Sequence, residues 1–463
     1  MKETLNLSNY QKLNTSTATV ELNSIKEDLI LTIETSQIND DTGKLSEILL
    51  TTRAKEELNI KWLTPTSTSI CFGNLLQNES ETSTLEILEK VATNKLIPIF
   101  SIYPFQRKLG FSTFTWKKWS KIGQFIPRLF ITRKERDSKQ FTMVKLSLNS
   151  DQTNLRFDRA EQEISFNNIF HQENVRETTS KKEDWIKNLN KTLSLLKNEE
   201  SNLSKVVMAN TKDLVSKDPF DHLSLFNFLS GIHDSSKLTH FYLEDGPLSF
   251  MGFSPENLLL KNGNQISIDA IAGTRPRSKT KEKDLKLEQE LRNSDKEQRE
   301  HQEVIDSIAA CTQTYGTITV QPQEVLKLSG LQHLKTPLKI SSKEELNTDI
   351  MKLVRLLHPT PAVGGSPTVE AMELIDQLES FERGLYAGTL GLSYGEETRF
   401  IVAIRSLLAI NNIRVTLYAG AGIVNGSEVT KEWDELETKF NSFFPSSLIS
   451  NEKNSKEHSQ AFL

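Results

Sequence analysis

Cysteine is nearly missing from this chain: Cys71 and Cys311 are the only two in 463 residues, each beside apolar neighbours and in no metal-ligand spacing. That excludes a disulfide scaffold and a thiolate metal centre, and fits two buried, reduced thiols in a reducing compartment. An excess of positive charge is missing too. Lys+Arg 56 against Asp+Glu 61 leaves a formal net charge of -5, so nothing chain-wide attracts nucleic acid or an anionic membrane, and an anionic ligand must be held by locally placed cations. Long hydrophobic runs are absent. No stretch approaches the roughly 18 uncharged apolar residues of a bilayer span, and the opening MKETLNLSNYQKLNT has no cationic segment leading into an apolar one. The expectation is a cytoplasmic protein without nucleic-acid or membrane partners, and a monomer, since no apolar patch stands out beyond the expected core.

What is present is a globular composition, 37% hydrophobic and 25% charged, with length for one large or two medium domains. Short strand-like runs occupy the first part: LILTI within Asp28 to Glu34, then ICFGN, LIPIFSIYPF and FIPRLFITR between Trp62 and Arg133. Between about Thr178 and Glu200, Trp185, Leu189, Leu193 and Leu196 recur at helical spacing, which predicts an amphipathic helix. Farther on, SKVVMANT reads as a strand, and LLLKNGNQISIDAI as a hairpin turning at NG. A helical region covers about Lys281 to Gln313. GLYAGTLGLSY, RFIVAIRSLLAI and IRVTLYAGAGIV read as strands, and Ser427 to Phe444 as a closing helix. Strands and helices in mixed order argue for one α+β sandwich rather than an alternating βαβ fold. The tail, 449–463, is polar and predicted to fray.

Two helices carry paired acids. Ser294 with Glu297 three positions later is a capping-box pattern, which places Glu297 and Glu300 one turn apart on a face that continues into Val304 and Ile308. Glu432 and Glu435 repeat the spacing beside Val429, Trp433, Leu436 and Phe440. If the two pairs face each other they offer hard oxygen ligands suited to Mg²⁺. The same spacing equally describes solvated helix faces. Arg405 interrupts the apolar run FIVAIRSLLAI, where a guanidinium must be paired, and a carboxylate ligand would satisfy it.

These residues lie within a set of ordered motifs, KVVMA, MGFSPENLL, IAGTRPR, DKEQREH, LHPTPAVGG, VAIRS and LYAGAGIVNGS followed by EWDELETK, that resembles the chorismate-utilising enzymes from about Trp62 to Phe444. The resemblance implies an α+β fold, a two-layer β-sandwich of mixed or antiparallel sheets surrounded by helices, with the active site between the sheets. Residues 1–180 would form the more divergent part of the sandwich and 181–448 the chorismate-binding catalytic region, together a single structural domain. It implies Mg²⁺ bound directly by Glu300 and Glu435, with Glu297 and Glu432 acting mainly through metal-bound water. Lys205 matches the lysine that serves water-using members as base, and Glu256 the general acid. Arg405 and Lys439 resemble carboxylate contacts; Tyr418, Gly420 and Gly422 contacts to the pyruvyl arm; Gly273, Thr274, His358 and Ala362 pocket lining.

Within the family, ammonia-using members carry a pattern ending in GAPK where this chain reads HPTPAVGGSPT, and they do not rely on a lysine at the KVV position. The resemblance therefore implies an isochorismate synthase, adding water at ring C2 of chorismate with loss of the C4 hydroxyl. The alternative is a salicylate synthase, which goes on to eliminate pyruvate. Whether the product serves menaquinone or siderophore biosynthesis is left open by chemistry common to both. One departure stands out: Asn210 occupies a place where relatives commonly have arginine, and is expected either to face outward or to support Lys205 electrostatically.

Overall fold

The computed structural model describes the chain over 182–444, apart from 199, 235 and 342–349, and before that ten strands with residues 104, 105, 116 and 119. The strands are β1 (Thr19–Ile25), β2 (Asp28–Glu34), β3 (Thr52–Ala54), β4 (Asn59–Thr64), β5 (Ser67–Gln77), β6 (Ile99–Tyr103), β7 (Gln124–Arg136), β8 (Lys139–Leu148), β9 (Phe157–Arg159) and β10 (Val175–Glu177). The strand runs expected at Asp28 to Glu34 and between Trp62 and Arg133 are among them. The side chain of Cys71 and the polar tail fall outside the described residues.

The expected amphipathic helix is α1 (Lys182–Leu196), with Trp185, Leu189, Leu193 and Leu196 buried as their spacing requires. There follow β11 (Lys205–Ser216), α2 (His222–Ile232), β12 (Thr239–Asp245), β13 (Leu248–Ser254), β14 (Asn257–Asn262) and β15 (Gln265–Pro276). Asn262 faces Gln265 across the β14–β15 pair, so the turn falls at the expected NG. The helical region divides into α3 (Lys281–Arg292) and α4 (Asp295–Thr312), because Ser294 adopts an extended conformation and caps the second helix. Then come β16 (Thr317–Val320), β17 (Glu324–Lys327), β18 (Leu331–Ser341), α5 (Ile350–Leu357), β19 (Gly365–Ser366) and α6 (Thr368–Leu378). The last elements are β20 (Thr389–Tyr394), β21 (Glu397–Val402), β22 (Ser406–Ile410), β23 (Arg414–Val424) and α7 (Val429–Phe443).

Every described strand pairing is antiparallel. One run is β11, β23, β22, β13, β12, β4, β5, β7. A second is β6, β20, β21, β14, β15, β18. β7 joins them: Phe125 and Gln124 pair with β6, whereas Leu129 to Arg136 pair with β8. Side chains from both runs enter one buried cluster, including Val206, Phe250 and Ile423 from the first and Leu390, Ile401 and Ile268 from the second. Two runs that share one core must face each other, so the sandwich is a continuous hydrogen-bonded network turned over at β7. Among the described residues no helix is long and apolar enough to cross a membrane.

One expected strand is two. FIVAIRSLLAI is interrupted at Ala403 to Arg405, and Arg405 sits at φ 53, in the left-handed region. The corner forms because β21 pairs with β14 and β20 in one run while β22 pairs with β13 and β23 in the other. Arg405 therefore stands where the chain crosses between layers. Cys311 is also less enclosed than expected: it is a free, half-buried thiol near the carbonyl of Leu356.

Candidate active site

Between the two runs lies a cavity with about 830 Å³ of space, its open mouth included. Its walls come from β11, β23, the bulged end of β15, the corner before β22, and helices α4 and α7. Twelve of the residues singled out above line it: Glu256, Gly273, Thr274, Glu297, Glu300 and Ala362 on one count, with Arg405, Tyr418, Gly420, Gly422, Glu435 and Lys439 completing the set. Lys205, Glu432 and His358 do not reach its surface. Lys205 lies directly behind the lining residue Glu300, to which it is bonded, and Glu432 is buried one turn of helix before the lining residue Glu435. His358 is a correction to the expected lining: it is buried, with its ring edge-on to Phe105 at 6.3 Å between centroids.

The acids of α4 and α7 converge on one side. Ser294 Oγ accepts from the Glu297 backbone N–H, but the reciprocal half of the capping box is missing. The Glu297 carboxylate instead accepts from the Thr274 N–H at 3.2 Å and from Arg275 Nη1 at 2.7 Å, so it turns into the cavity. Each of the four carboxylates has its own cation: Glu300 has Lys205 at 2.7 Å, Glu297 has Arg275 at 2.7 Å, Glu435 has Lys439 at 2.7 Å and Glu432 has Lys296 at 2.6 Å. The groups also feel one another. Burial and then the Glu300 charge push Glu297 up, and burial and then Glu435 push Glu432 up. Burial also opposes the charge on Glu300, yet Lys205 with Lys296 and Lys439 outweighs it and holds that carboxyl below its ordinary range.

Repulsion within each pair opposes gathering these carboxylates, and their oxygen-only donors are of the kind that suits Mg²⁺. Among the described residues no three such groups are closed around a common point. The donor set fits the ion in kind, and binding it would require the carboxylates to exchange their lysine and arginine partners for metal.

Lys205 opens β11 and is fully buried. Its ammonium donates to Glu300 Oε1, and glycine at 422 makes this possible: a Cβ there would stand 2.7 Å from Glu300 Oε1 and 3.1 Å from Lys205 Cε. Glu256 lies at the end of the SPE turn, 3% exposed. Its carbonyl accepts from Val402 N–H, fixing it against β21. Burial, followed by the charge of Asp269, pushes its carboxyl up to about 8, with Lys205 opposing. The SPE turn thus carries a carboxyl held protonated at neutral pH.

Arg405 contacts His333, a residue that local pattern does not reveal. Arg405 Nη2 stands 2.6 Å from His333 Nε2, and His333 Nδ1 stands 3.0 Å from the Gly273 carbonyl. A guanidinium can only donate and a carbonyl only accept, so His333 is neutral with its proton on Nδ1. Burial, then Arg405 and Lys439, hold its pKa well below the ordinary imidazole value. Gly273 is at φ 74, where β15 bulges between Ala272 and Thr274; the bulge presents its carbonyl to His333. Lys439 Nζ donates to the Gly420 carbonyl at 2.7 Å. Tyr418 stacks on Tyr386, ring centroids 5.2 Å apart. Arg405 and Lys439 thus bring two cations to the cavity that Glu256 also lines, with neutral His333 holding the guanidinium.

Asn210 is buried rather than outward, its Oδ1 accepting from the Thr211 N–H at 2.9 Å. It lies five positions along β11 from Lys205, and strand alternation puts it on the opposite face. Direct support of Lys205 is therefore ruled out by geometry.

A family model described as chorismate binding enzyme matches residues 76–448. Isochorismate synthase 2, chloroplastic, of Arabidopsis thaliana is 36% identical over 258 residues, which cover 55% of this chain and 45% of that protein. Isochorismate synthase MenF of Pasteurella multocida is 33% identical over 265 residues, 55% of this chain and 59% of that protein. The chain spans about half the length of the curated relatives it matches. The solved structure of MenF, the menaquinone-specific isochorismate synthase from Escherichia coli, shares the fold with a TM-score of 0.74 at 23% identity, covering 96% of this chain and 98% of that one.

Proposed function

Since the chain belongs to the chorismate binding enzyme family, we propose that it is an isochorismate synthase, an isomerase that moves the ring hydroxyl of chorismate without releasing pyruvate. The observation that carries the reading is Glu256, a buried carboxyl pushed up to about 8, lining the same cavity as Glu300, which is paired with the buried Lys205 behind it, and as the cations Arg405 and Lys439. The substrate is a dianion, and Arg405 and Lys439 meet its carboxylates, with His333 holding the guanidinium plane. Lys205, once it has left Glu300 and lost its ammonium proton to solvent, is a neutral amine that accepts a proton from the water that attacks C2. Glu256 donates its proton to the hydroxyl leaving C4, which departs as water. One water is consumed and one released, so the net change is an isomerisation, and the two residues end with exchanged protonation. Glu297, Glu300 and Glu435, with Glu432 behind them, would hold Mg²⁺, which supplies charge neutralisation at the ring carboxylate when bound.

Incubation of the protein with chorismate and Mg²⁺, followed by separation of products, tests this directly. Isochorismate alone is expected, with turnover falling to background when EDTA removes the metal. Salicylate with pyruvate would instead indicate the two-step reaction, and an aminated product formed only with ammonia would reject water as the nucleophile. Unchanged chorismate would reduce the protein to a binder.

A further inference from the structure

β11 carries Lys205 at its start, and one of its edges is only partly covered by strands. β23 runs along one side from Lys205 to Val215, but on the other side β19 reaches only Lys205 and Val206, and β10 begins opposite Leu214. Between these, among the described residues, no strand pairs with that edge. Unpaired backbone groups in a buried strand are costly, and here side chains take the place of a strand. Glu379 Oε1 accepts from the Ala209 N–H at 2.7 Å. Arg383 Nη2 donates to the Val207 carbonyl at 2.6 Å. The same guanidinium binds Glu379 through Nε at 2.8 Å and Nη2 at 2.6 Å, and its Nη1 donates to the Val363 carbonyl at 3.0 Å. Arg383 is fully buried, with Phe105 4.2 Å from its guanidinium carbon.

Three of the groups tied together in this way belong to the cavity wall. Val207, Val363 and Tyr386 all line it, and Tyr386 is fixed to the same turn by its N–H on the Arg383 carbonyl. The Val207 N–H in turn bonds the Gly364 carbonyl, so beyond the short β19 pairing at Gly365 and Ser366 the PTPAVGG segment is tied to β11 by this backbone bond and by the Arg383 guanidinium. We propose that Glu379 and Arg383 are positioning residues: where no described strand pairs with this edge of β11, their side chains hold the Val363 segment against it and so set the wall on which the substrate ring rests. Neither lines that cavity; Arg383 acts through Val207 and Val363, and Glu379 through Ala209 and Arg383. A planar fork is needed, since a lysine at 383 offers its donors from one point and cannot span two carbonyls and a carboxylate together.

The assignment of substrate rests on the chorismate reading, so the test has one arm that needs no turnover. Arg383→Lys keeps the charge and loses the fork; Glu379→Gln keeps an acceptor for Ala209 and loses the charge. For each, steady-state kinetics with chorismate are measured, together with amide hydrogen exchange of the segments 203–212 and 358–367. The expected result for Arg383→Lys is a KM raised on the order of tenfold or more with kcat changed less than about threefold, and faster exchange confined to those two segments while α3 exchanges as in the wild type. Glu379→Gln gives the same pattern with smaller amplitude, and decides the matter if the arginine variant does not fold. An unchanged KM, or faster exchange spread evenly over the chain, would make the pair a general stabiliser and overturn the proposal. If the wild-type protein does not turn over chorismate, the functional reading fails while the exchange pattern still decides this one.

Discussion

Lys205→Met lowers kcat by roughly 10²- to 10⁴-fold, the usual contribution of a positioned base, while chorismate binding in the presence of Mg²⁺ persists. Methionine nearly preserves the length of the side chain, so the space beside Gly422 stays filled and the loss is chemical. The variant also leaves the Glu300 carboxylate buried without its partner, which in comparable sites costs about 3–5 kcal/mol. Its melting temperature should therefore fall without metal and recover on adding Mg²⁺, since a divalent ion can take over the charge that Lys205 balanced. Single-turnover rates, calorimetric binding of chorismate and melting curves with and without Mg²⁺ check the three statements separately. Turnover within threefold of the wild type would remove Lys205 from the reaction, and a melting temperature indifferent to Mg²⁺ would count against the acidic helices as a metal site.

The parts of the site that sequence reveals are those governed by short-range periodicity. Glu297 and Glu300, and likewise Glu432 and Glu435, fall on one helix face whatever the rest of the fold does, and Val304, Ile308, Leu436 and Phe440 show which face is buried. The strand containing KVVMA and the NG hairpin are legible for the same reason. What sequence hides depends on contacts between distant segments. Arg405 lies in an apolar run that looks like one strand, and only the different partners of β21 and β22 make it a corner. His333 sits among ordinary strand residues and acquires meaning from Gly273 and Arg405, 60 and 72 positions away. Asn210 reads as replaceable in the sequence, yet along the stretch of the β11 edge where no described strand pairs, its own oxygen accepts from the next N–H. Arg383 and Glu379 belong to the same class, since a strand's missing neighbour cannot be read from the strand.

The alkaline limb of the pH profile should belong to Glu256. Its carboxyl is pushed up to about 8, first by burial and then by the Asp269 charge. Both disfavour the ionised form, so the group is protonated and able to donate at neutral pH and loses that proton as pH rises through about 8. kcat/KM is then expected to fall tenfold for each pH unit above that point. Glu256→Gln retains the shape but cannot release a proton, and should cost roughly 10²- to 10⁴-fold in kcat and abolish that limb. Asp269→Asn supplies the sign test. Asp269 receives a hydrogen bond from Asn257, the neighbour of Glu256 in the chain, at 2.8 Å. Removing its charge makes ionisation of Glu256 easier, lowers that pKa and moves the limb toward acid. A profile that stays level well above pH 8, or a limb that moves toward alkali in Asp269→Asn, would mean that another group delivers the proton to the departing hydroxyl.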